Sequence, residues 1–115
     1  MIKIKRIYEK ETKDDGYRVL VDRLWPRGVK KNDAKIDDWM KDIAPSDELR
    51  KWFNHEAERW SGFRKKYFKE LENKSEMIKN LKSKSKNKTL TLLYSAKDTI
   101  HNQAAALREF LSIKT

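Results

Sequence analysis

The stretch VLVDRLWPRG, residues 19–28, joins a continuous apolar run to a cluster of charged and aromatic side chains. The run Val-Leu-Val lacks the alternation of a strand with one wet face, so it predicts a strand that is buried on both faces. The residues that follow bring a carboxylate, two guanidiniums and an indole, with Pro26 and Gly28 to turn the chain. A buried strand that ends in polar groups predicts a sheet with a functional site at that edge.

Two further segments have the pattern of strands. Residues 2–8, IKIKRIY, alternate apolar and basic side chains as a half-buried or edge strand does, whereas residues 89–96, TLTLLYSA, are more continuously apolar. Eight residues, EKETKDDG, separate the first two strands, which is short for a helical crossover. This spacing favours an antiparallel relation between those two strands.

The chain between the second and third strands has helical spacing throughout. In residues 36–43 the apolar side chains recur at i, i+3, i+4 and i+7, which predicts a helix that ends before Pro45. Later apolar residues predict further helices, and the segment KSKSKNK, residues 82–88, predicts a solvated loop. After the third strand, Asp98 or Thr99 is the expected N-cap of a final helix.

The order of these elements predicts an α/β fold, with a small sheet of about three or more strands and helices packed on it. The third strand is expected beside the second and parallel to it, joined by a right-handed crossover. A chain of 115 residues suits one hydrophobic core, so residues 1–115 are expected to form a single compact domain.

The composition excludes several kinds of chemistry. The chain has no cysteine, which removes disulfides, thiolate nucleophiles and cysteine-ligated metal sites. Only His55 and His101 remain as soft ligands, so neither a metal site nor a cofactor is expected. The sequence has no apolar run of about 18 residues and no signal-peptide pattern, which predicts a cytoplasmic protein without a membrane partner.

The charge is strongly basic. Lysine and arginine number 28 against 18 acidic residues, for a formal net charge of +10. A field of this sign attracts nucleic acid and phosphorylated ligands. An excess of lysine also serves solubility alone, so the charge by itself does not select a partner.

A second polar cluster follows the third strand. Residues 92–107, LLYSAKDTIHNQAAAL, run from the strand through Tyr94 and Lys97 into a helix with His101 and Asn102 near its start. The carboxyl ends of parallel neighbours meet at one edge of a sheet, where open α/β sheets bind their ligands. We therefore expect this cluster to lie beside the polar residues that end the second strand.

Three blocks carry a resemblance to a known family: GYRVLVDRLWPRGVKK at residues 16–31, APSDELRKWFNHEAERWSGFRKKY at residues 44–67 and TLLYSAKDTIHNQAAAL at residues 91–107. They resemble, in the same order, the signature blocks of the YeaO-like proteins, a bacterial family of unknown function. The resemblance implies an α/β fold with a polar site and implies no reaction. More distant, longer members carry cysteines in the corresponding strand and turn, and this chain has none, so thiol or metal chemistry does not transfer to it.

Together the two clusters predict a site for a small, phosphate-bearing, nucleotide-like anion. Guanidiniums match phosphate geometry, and a histidine beside a carboxylate can exchange a proton near neutral pH. The expected ligand-binding residues are Arg23, Trp25, Arg27, Tyr94, Lys97 and Asn102. The candidate catalytic residues, for proton transfer, are Asp22, His55 and His101. Whether the protein is an enzyme stays open.

These residues also have structural interpretations. Asp22 and Arg23 would form an internal ion pair, most tryptophans would be core residues, and each histidine would make only local hydrogen bonds. The alternative function is a non-catalytic nucleic-acid-binding module, in which the basic surface tracks a phosphate backbone. No named nucleic-acid-binding motif is visible, which places this alternative second.

Overall fold

Four parallel strands form one sheet in the computed structural model, which describes residues 1–113. The strands are β1 (Ile2–Arg6), β2 (Tyr17–Leu20), β3 (Asp38–Trp39) and β4 (Leu90–Tyr94), and they lie in the order β1-β4-β2-β3. The helices are α1 (Lys31–Ala34), α2 (Asp47–Phe53), α3 (Trp60–Glu72), α4 (Ser75–Asn87) and α5 (Gln103–Ile113). Short 3-10 turns occur at Lys13–Asp15, Lys41–Ile43 and Ala57–Arg59.

The central strand is β4, which pairs with β1 on one side and β2 on the other. All of its residues are buried, as expected of a strand that has neighbours on both sides and cover on both faces. The register sets Leu90 opposite both Ile2 and Tyr17. The predicted α/β class is confirmed, and so is the prediction that the second and third strand segments are buried, adjacent and parallel.

The expected antiparallel relation between the first two strands is wrong. Both pair with β4 in parallel, so β1 and β2 point the same way with β4 between them. The chain returns along the sheet through the 3-10 turn at Lys13–Asp15 and through Gly16, which has φ +62°. The connection between β1 and β2 does not need a helix, because residues 7–16 are enough to run back along a five-residue strand, a distance of roughly 17 Å.

The helix expected over residues 36–43 is also not formed. The chain there adds β3 to the sheet edge, and the Met40 N–H donates to the Leu20 carbonyl at 2.9 Å. The helical spacing of the apolar residues in this segment has a different cause. Their side chains pack on opposite faces of the sheet. Trp39 packs beneath one face, and Ile43 lies in the larger core on the other.

Helices cover one face of the sheet much more fully than the other. The larger core lies under α2, α3, α4 and α5, with Tyr67, Leu81 and Leu107 fully buried in it. On the opposite face, a small cluster is built around Leu20 and Leu93 and is closed by the loops that follow β2. This arrangement leaves the carboxyl edge of the sheet between a helical layer and a loop layer.

The lysine-rich segment expected as a loop is helical for most of its length. The helix α4 continues to Asn87, and only Lys88 lies beyond it, in an extended conformation. The helix holds because Leu81 anchors it in the core and because lysine is a good helix former. Lys84 and Lys88 also place their ammonium groups 4.8 and 5.6 Å from the centre of the Tyr17 ring.

The final helix begins later than predicted. Its first residue is Gln103, and Asn102 caps it by accepting the Ala105 N–H at 2.9 Å. Asp98 instead closes the preceding turn by accepting the N–H groups of Ile100 and His101. The prediction of Asp98 or Thr99 as N-cap is therefore wrong, and His101 and Asn102 lie before the helix. Over residues 1–113, no helix combines the length and the apolar character needed to cross a membrane.

Candidate functional site

A cavity of about 240 Å³ opens at the carboxyl edge of the sheet. The turn after β2, residues 22–27, forms one wall, and the residues that follow β4 together with the start of α5 form another. The remaining wall comes from the segment before α2 and from residues on α2 and α3. Strand ends thus bring together segments that are far apart in sequence.

The cavity gathers most of the residues that the sequence singled out. Seven of the nine line it: Asp22, Arg23, Trp25, Arg27, His55, His101 and Asn102. The other two lie outside its wall. Tyr94 is buried within β4, where burial raises the pKa of its phenol, and Lys97 is exposed on the turn that follows.

The ion pair that the structural interpretation of Asp22 and Arg23 predicts is not present among the described residues. The Arg23 guanidinium donates to the backbone carbonyls of Ala44 and Pro45, at 3.1 and 3.3 Å. Asp22 accepts a hydrogen bond from the Gln103 side-chain amide instead. The two neighbouring side chains thus point to different elements, which leaves the carboxylate without a cation to neutralise it.

The Asp22 carboxylate is the most unusual group of the site. Burial raises its pKa, while hydrogen-bond donors on Ser95 and Gln103 oppose that rise. Its Oδ2 atom is buried and makes no hydrogen bond of normal geometry within residues 1–113. The backbone at this position is also fixed, because its carbonyl accepts the Trp39 indole N–H at 2.7 Å.

The cationic part of the wall comes from three arginines. Arg27 is exposed at the rim, and its backbone carbonyl accepts the Tyr8 hydroxyl at 2.9 Å. Arg50, on α2, lies 3.3 Å from Asp47, one turn earlier on the same helix. The Arg23 guanidinium is bound to carbonyl oxygens. Among the described residues, none of the three guanidiniums is paired with Asp22, the acidic side chain of the cavity wall.

The histidines reach the cavity from two loops. His101 Nδ1 lies 2.9 Å from Asp98, and its ring packs edge-on against Trp60. Hydrogen bonds from the His101 and Ile100 N–H groups lower the pKa of Asp98 to about 2. His55 follows Asn54 at the end of α2, and both residues have positive φ. The Asp98 contact occupies Nδ1 of His101, which leaves Nε2 as the nitrogen open to a ligand.

Aromatic and apolar side chains complete the cavity. Trp25 is anchored by its indole N–H, which donates to the Val29 carbonyl at 2.6 Å, and it meets Trp39 edge to face at 5.3 Å. Phe53 and Phe63 form the opposite apolar surface, with ring centres 4.5 Å apart. The cavity therefore offers an apolar surface beside its charged groups.

Sequence reasoning missed three polar residues of the wall: Arg50, Ser95 and Gln103. Arg50 lies on the solvent side of an amphipathic helix, where it resembles any surface arginine. Ser95 and Gln103 are next in sequence to the predicted site residues Tyr94 and Asn102, so proximity to the second cluster is the signal that could have found them. Within residues 1–113, no group of three or more His, Asp or Glu side chains is arranged to hold a metal ion.

Comparison with known proteins places the chain in a family. All of residues 1–115 match the family model described as "Inactive DUF488-N3 subclade". The uncharacterized protein YeaO of Escherichia coli is 48% identical over 96% of this chain and 96% of its own length. The uncharacterized protein Rv3073c of Mycobacterium tuberculosis is 37% identical over 96% of this chain and 93% of its own. No solved structure matches the chain. The chain thus belongs to the DUF488-N3i family and is YeaO-like, as its three sequence blocks predicted.

Proposed function

We propose that this protein binds a small, phosphate-bearing anion in the cavity at the carboxyl edge of the sheet. The observation that carries the proposal is the convergence of Arg23, Arg27 and Arg50 on one cavity, in whose described wall Asp22 is the single acidic side chain. Guanidiniums present their N–H groups in a planar fork that matches the oxygens of a phosphate. His55 and His101 add ring nitrogens that can form hydrogen bonds.

The size of the cavity limits the ligand. Its volume of about 240 Å³ lies below the range of about 300–1,000 Å³ that is typical of sites for drug-sized molecules. A phosphate with a short organic group fits this volume better than a complete nucleotide. The proposal therefore narrows the nucleotide-like ligand expected from the sequence to a smaller phosphate monoester.

Binding without turnover is the form of the proposal that we favour. A catalytic version would use Asp22, His55 and His101 as proton-transfer groups. The family model that matches the chain is described as an inactive subclade, and the chain has no cysteine to act as a nucleophile. Lys97 and Tyr94, which lie outside the wall, have no part in this proposal.

Isothermal titration calorimetry with glycerol 3-phosphate and inorganic phosphate tests the proposal. The variants Arg27→Gln and Arg50→Gln should each weaken glycerol 3-phosphate binding by about 10-fold or more, because each removes a charge-assisted contact. The matched control is Arg108→Gln, which removes an exposed arginine on α5 outside this cavity. Equal affinity in all three variants, or no binding by the wild type, would contradict the proposal.

The second candidate is the nucleic-acid-binding module, supported by the net charge of +10 and by the lysines along α4. The two functions differ in their salt dependence. Lysine contacts to a phosphate backbone lose affinity steeply as salt rises, whereas a small ligand in a cavity loses much less. Titration of a single-stranded oligonucleotide and of glycerol 3-phosphate at two salt concentrations separates them.

A further inference from the structure

Asp22 places a buried hydrogen-bond acceptor in the cavity wall, and a phosphate group without a hydroxyl cannot satisfy it. Its side chain is buried, with the whole residue only 8% exposed, and Oδ2 has no hydrogen-bond partner among the described residues. A buried acceptor without a partner destabilises the folded protein, because it has lost its hydrogen bonds to water. In native proteins such an atom calls for an explanation, and a ligand is one.

Ser95 has donors near the Asp22 carboxylate, but they make no hydrogen bond of normal geometry with Oδ2, and the groups around the carboxylate are held in place. Trp39 holds the Asp22 carbonyl, and Gln103 holds Oδ1 of the carboxylate. The preceding residue is also fixed, because the Val21 N–H donates to the Leu93 carbonyl at 3.0 Å. Arg23, the nearest cation in sequence, is committed to two carbonyl oxygens on the segment before α2.

A second acceptor lies beside the first. The Gln103 amide nitrogen donates to Asp22, and the carbonyl oxygen of the same amide is an acceptor. Both residues line the cavity. This part of the wall therefore presents acceptors, in contrast to the donors that the arginines present.

We propose that the ligand is a hydroxylated phosphate monoester, with its phosphate on the arginines and one hydroxyl donating a hydrogen bond to Asp22 Oδ2. This inference rests on the proposed function and adds the second recognition element to it. A hydroxyl suits the site better than an ammonium group, because Arg23, Arg27 and Arg50 would repel a second cation.

Two probes of the same shape test the inference. Glycerol 3-phosphate and propyl phosphate share the phosphate and the three-carbon chain, and they differ in two hydroxyl groups. The wild type should bind glycerol 3-phosphate at least about 10-fold more tightly in calorimetry, since the hydroxyl satisfies a buried acceptor. Equal affinity for both probes would overturn the inference and leave the anion-binding function standing, whereas no binding of either would overturn both.

The variant Asp22→Asn identifies the acceptor. With Gln103 still donating to the amide oxygen, the amide NH₂ replaces Oδ2, and a donor then faces the hydroxyl. Because a hydroxyl makes a weaker hydrogen bond to a neutral amide than to a carboxylate, this variant should show a clearly smaller preference for glycerol 3-phosphate over propyl phosphate than the wild type does. Asp33→Asn, an exposed charge change before β3, is the matched control. An undiminished preference in folded Asp22→Asn would overturn the inference, and if the variant does not fold, the wild-type comparison decides alone.

Discussion

Gln103 donates a hydrogen bond from its side-chain amide to Asp22 Oδ1 and so joins two residues that are 81 positions apart. Gln103 is the first residue of α5, and Asp22 is in the turn that follows β2. The bond links the helix to the end of the strand and fixes the carboxylate at the wall of the cavity. No cation within residues 1–113 neutralises the same carboxylate, so its ionisation should influence stability in a measurable way.

Replacing Asp22 with Asn should raise the free energy of unfolding near neutral pH. Burial raises the pKa of Asp22 in the folded protein, so the folded state disfavours the ionised form relative to the unfolded chain. This penalty is fully present above the raised folded-state pKa and disappears as the pH falls toward the ordinary value of 3.8. Urea denaturation of both proteins across that interval should show the advantage of the variant shrinking with falling pH.

A less stable Asn variant at neutral pH would contradict this prediction. It would mean that the donors on Ser95 and Gln103 stabilise the charged carboxylate by more than burial destabilises it.

Asp15 should have the opposite effect, because its charge is paired. It is fully buried and accepts hydrogen bonds from Arg18 and from Lys5, the latter at 3.1 Å. Burial acts to raise its pKa, but hydrogen bonds from Thr12, Lys5 and Arg18 outweigh it and hold that pKa well below the usual range. Replacing Asp15 with Asn removes the charged partner of the buried Arg18 guanidinium and should cost about 3–5 kcal/mol of stability.

The matched control is Asp14→Asn, in the same 3-10 turn but exposed. It should change stability by no more than about 0.5 kcal/mol. The contribution of Asp15 is present above the ordinary pKa of 3.8 and is lost as the pH falls through its lower folded value. The difference between wild type and Asp15→Asn in chemical denaturation should therefore stay constant at higher pH, and a decline well above 3.8 would argue against this assignment.

The fold was predictable from sequence wherever a pattern of apolar residues reflects a single kind of packing. The apolar runs in β2 and β4 reflect burial on both faces, and the prediction from them is confirmed. Residues 36–43 gave a false helix because Trp39 and Ile43 pack on different faces of the sheet, which periodicity cannot distinguish. The prediction that β1 and β2 are antiparallel was wrong because β4, which comes from residues 90–94, lies between them.

The candidate site was predictable to the extent that strand ends define it. Parallel strands end at one edge of a sheet, which predicts a shared site for the turn after β2 and the turn after β4, and both turns line the cavity. Arg50 was missed because it reaches the cavity from α2, and a helix position alone does not show which cavity lies nearby. The orientation of the Arg23 side chain was also not predictable from sequence. Its partners are backbone carbonyls, which every residue type has.

Two glycines with positive φ should respond differently to substitution by alanine. Gly28 has φ +79°, and a Cβ there would meet no atom within 4 Å, so Gly28→Ala should cost about 1–2 kcal/mol from backbone strain. Gly16 has φ +62°, and its Cβ would lie 2.1 Å from the Thr89 carbonyl oxygen, which accepts the Tyr17 N–H. Gly16→Ala should therefore cost clearly more, because β2 must shift away from the start of β4.

Urea denaturation of the two glycine variants measures this difference directly. Equal losses would show that the backbone near Thr89 relaxes without cost, contrary to the close approach in the structure.

The lysines at the end of α4 should affect the basic surface and leave the cavity unchanged. Replacing Lys82, Lys84, Lys86 and Lys88 together with Gln removes four charges and keeps residues of similar helix propensity. Lys84 and Lys88 lie over the Tyr17 ring, and each such contact is worth about 0.5–1 kcal/mol at an exposed site, so stability should fall by about 1–2 kcal/mol. Because none of the four lines the cavity, glycerol 3-phosphate affinity should not change. Calorimetry on this variant, with Arg27→Gln in parallel, separates the two candidate functions: loss of oligonucleotide binding alone in the lysine variant would assign that binding to α4, and loss of glycerol 3-phosphate binding there would contradict the cavity as its site.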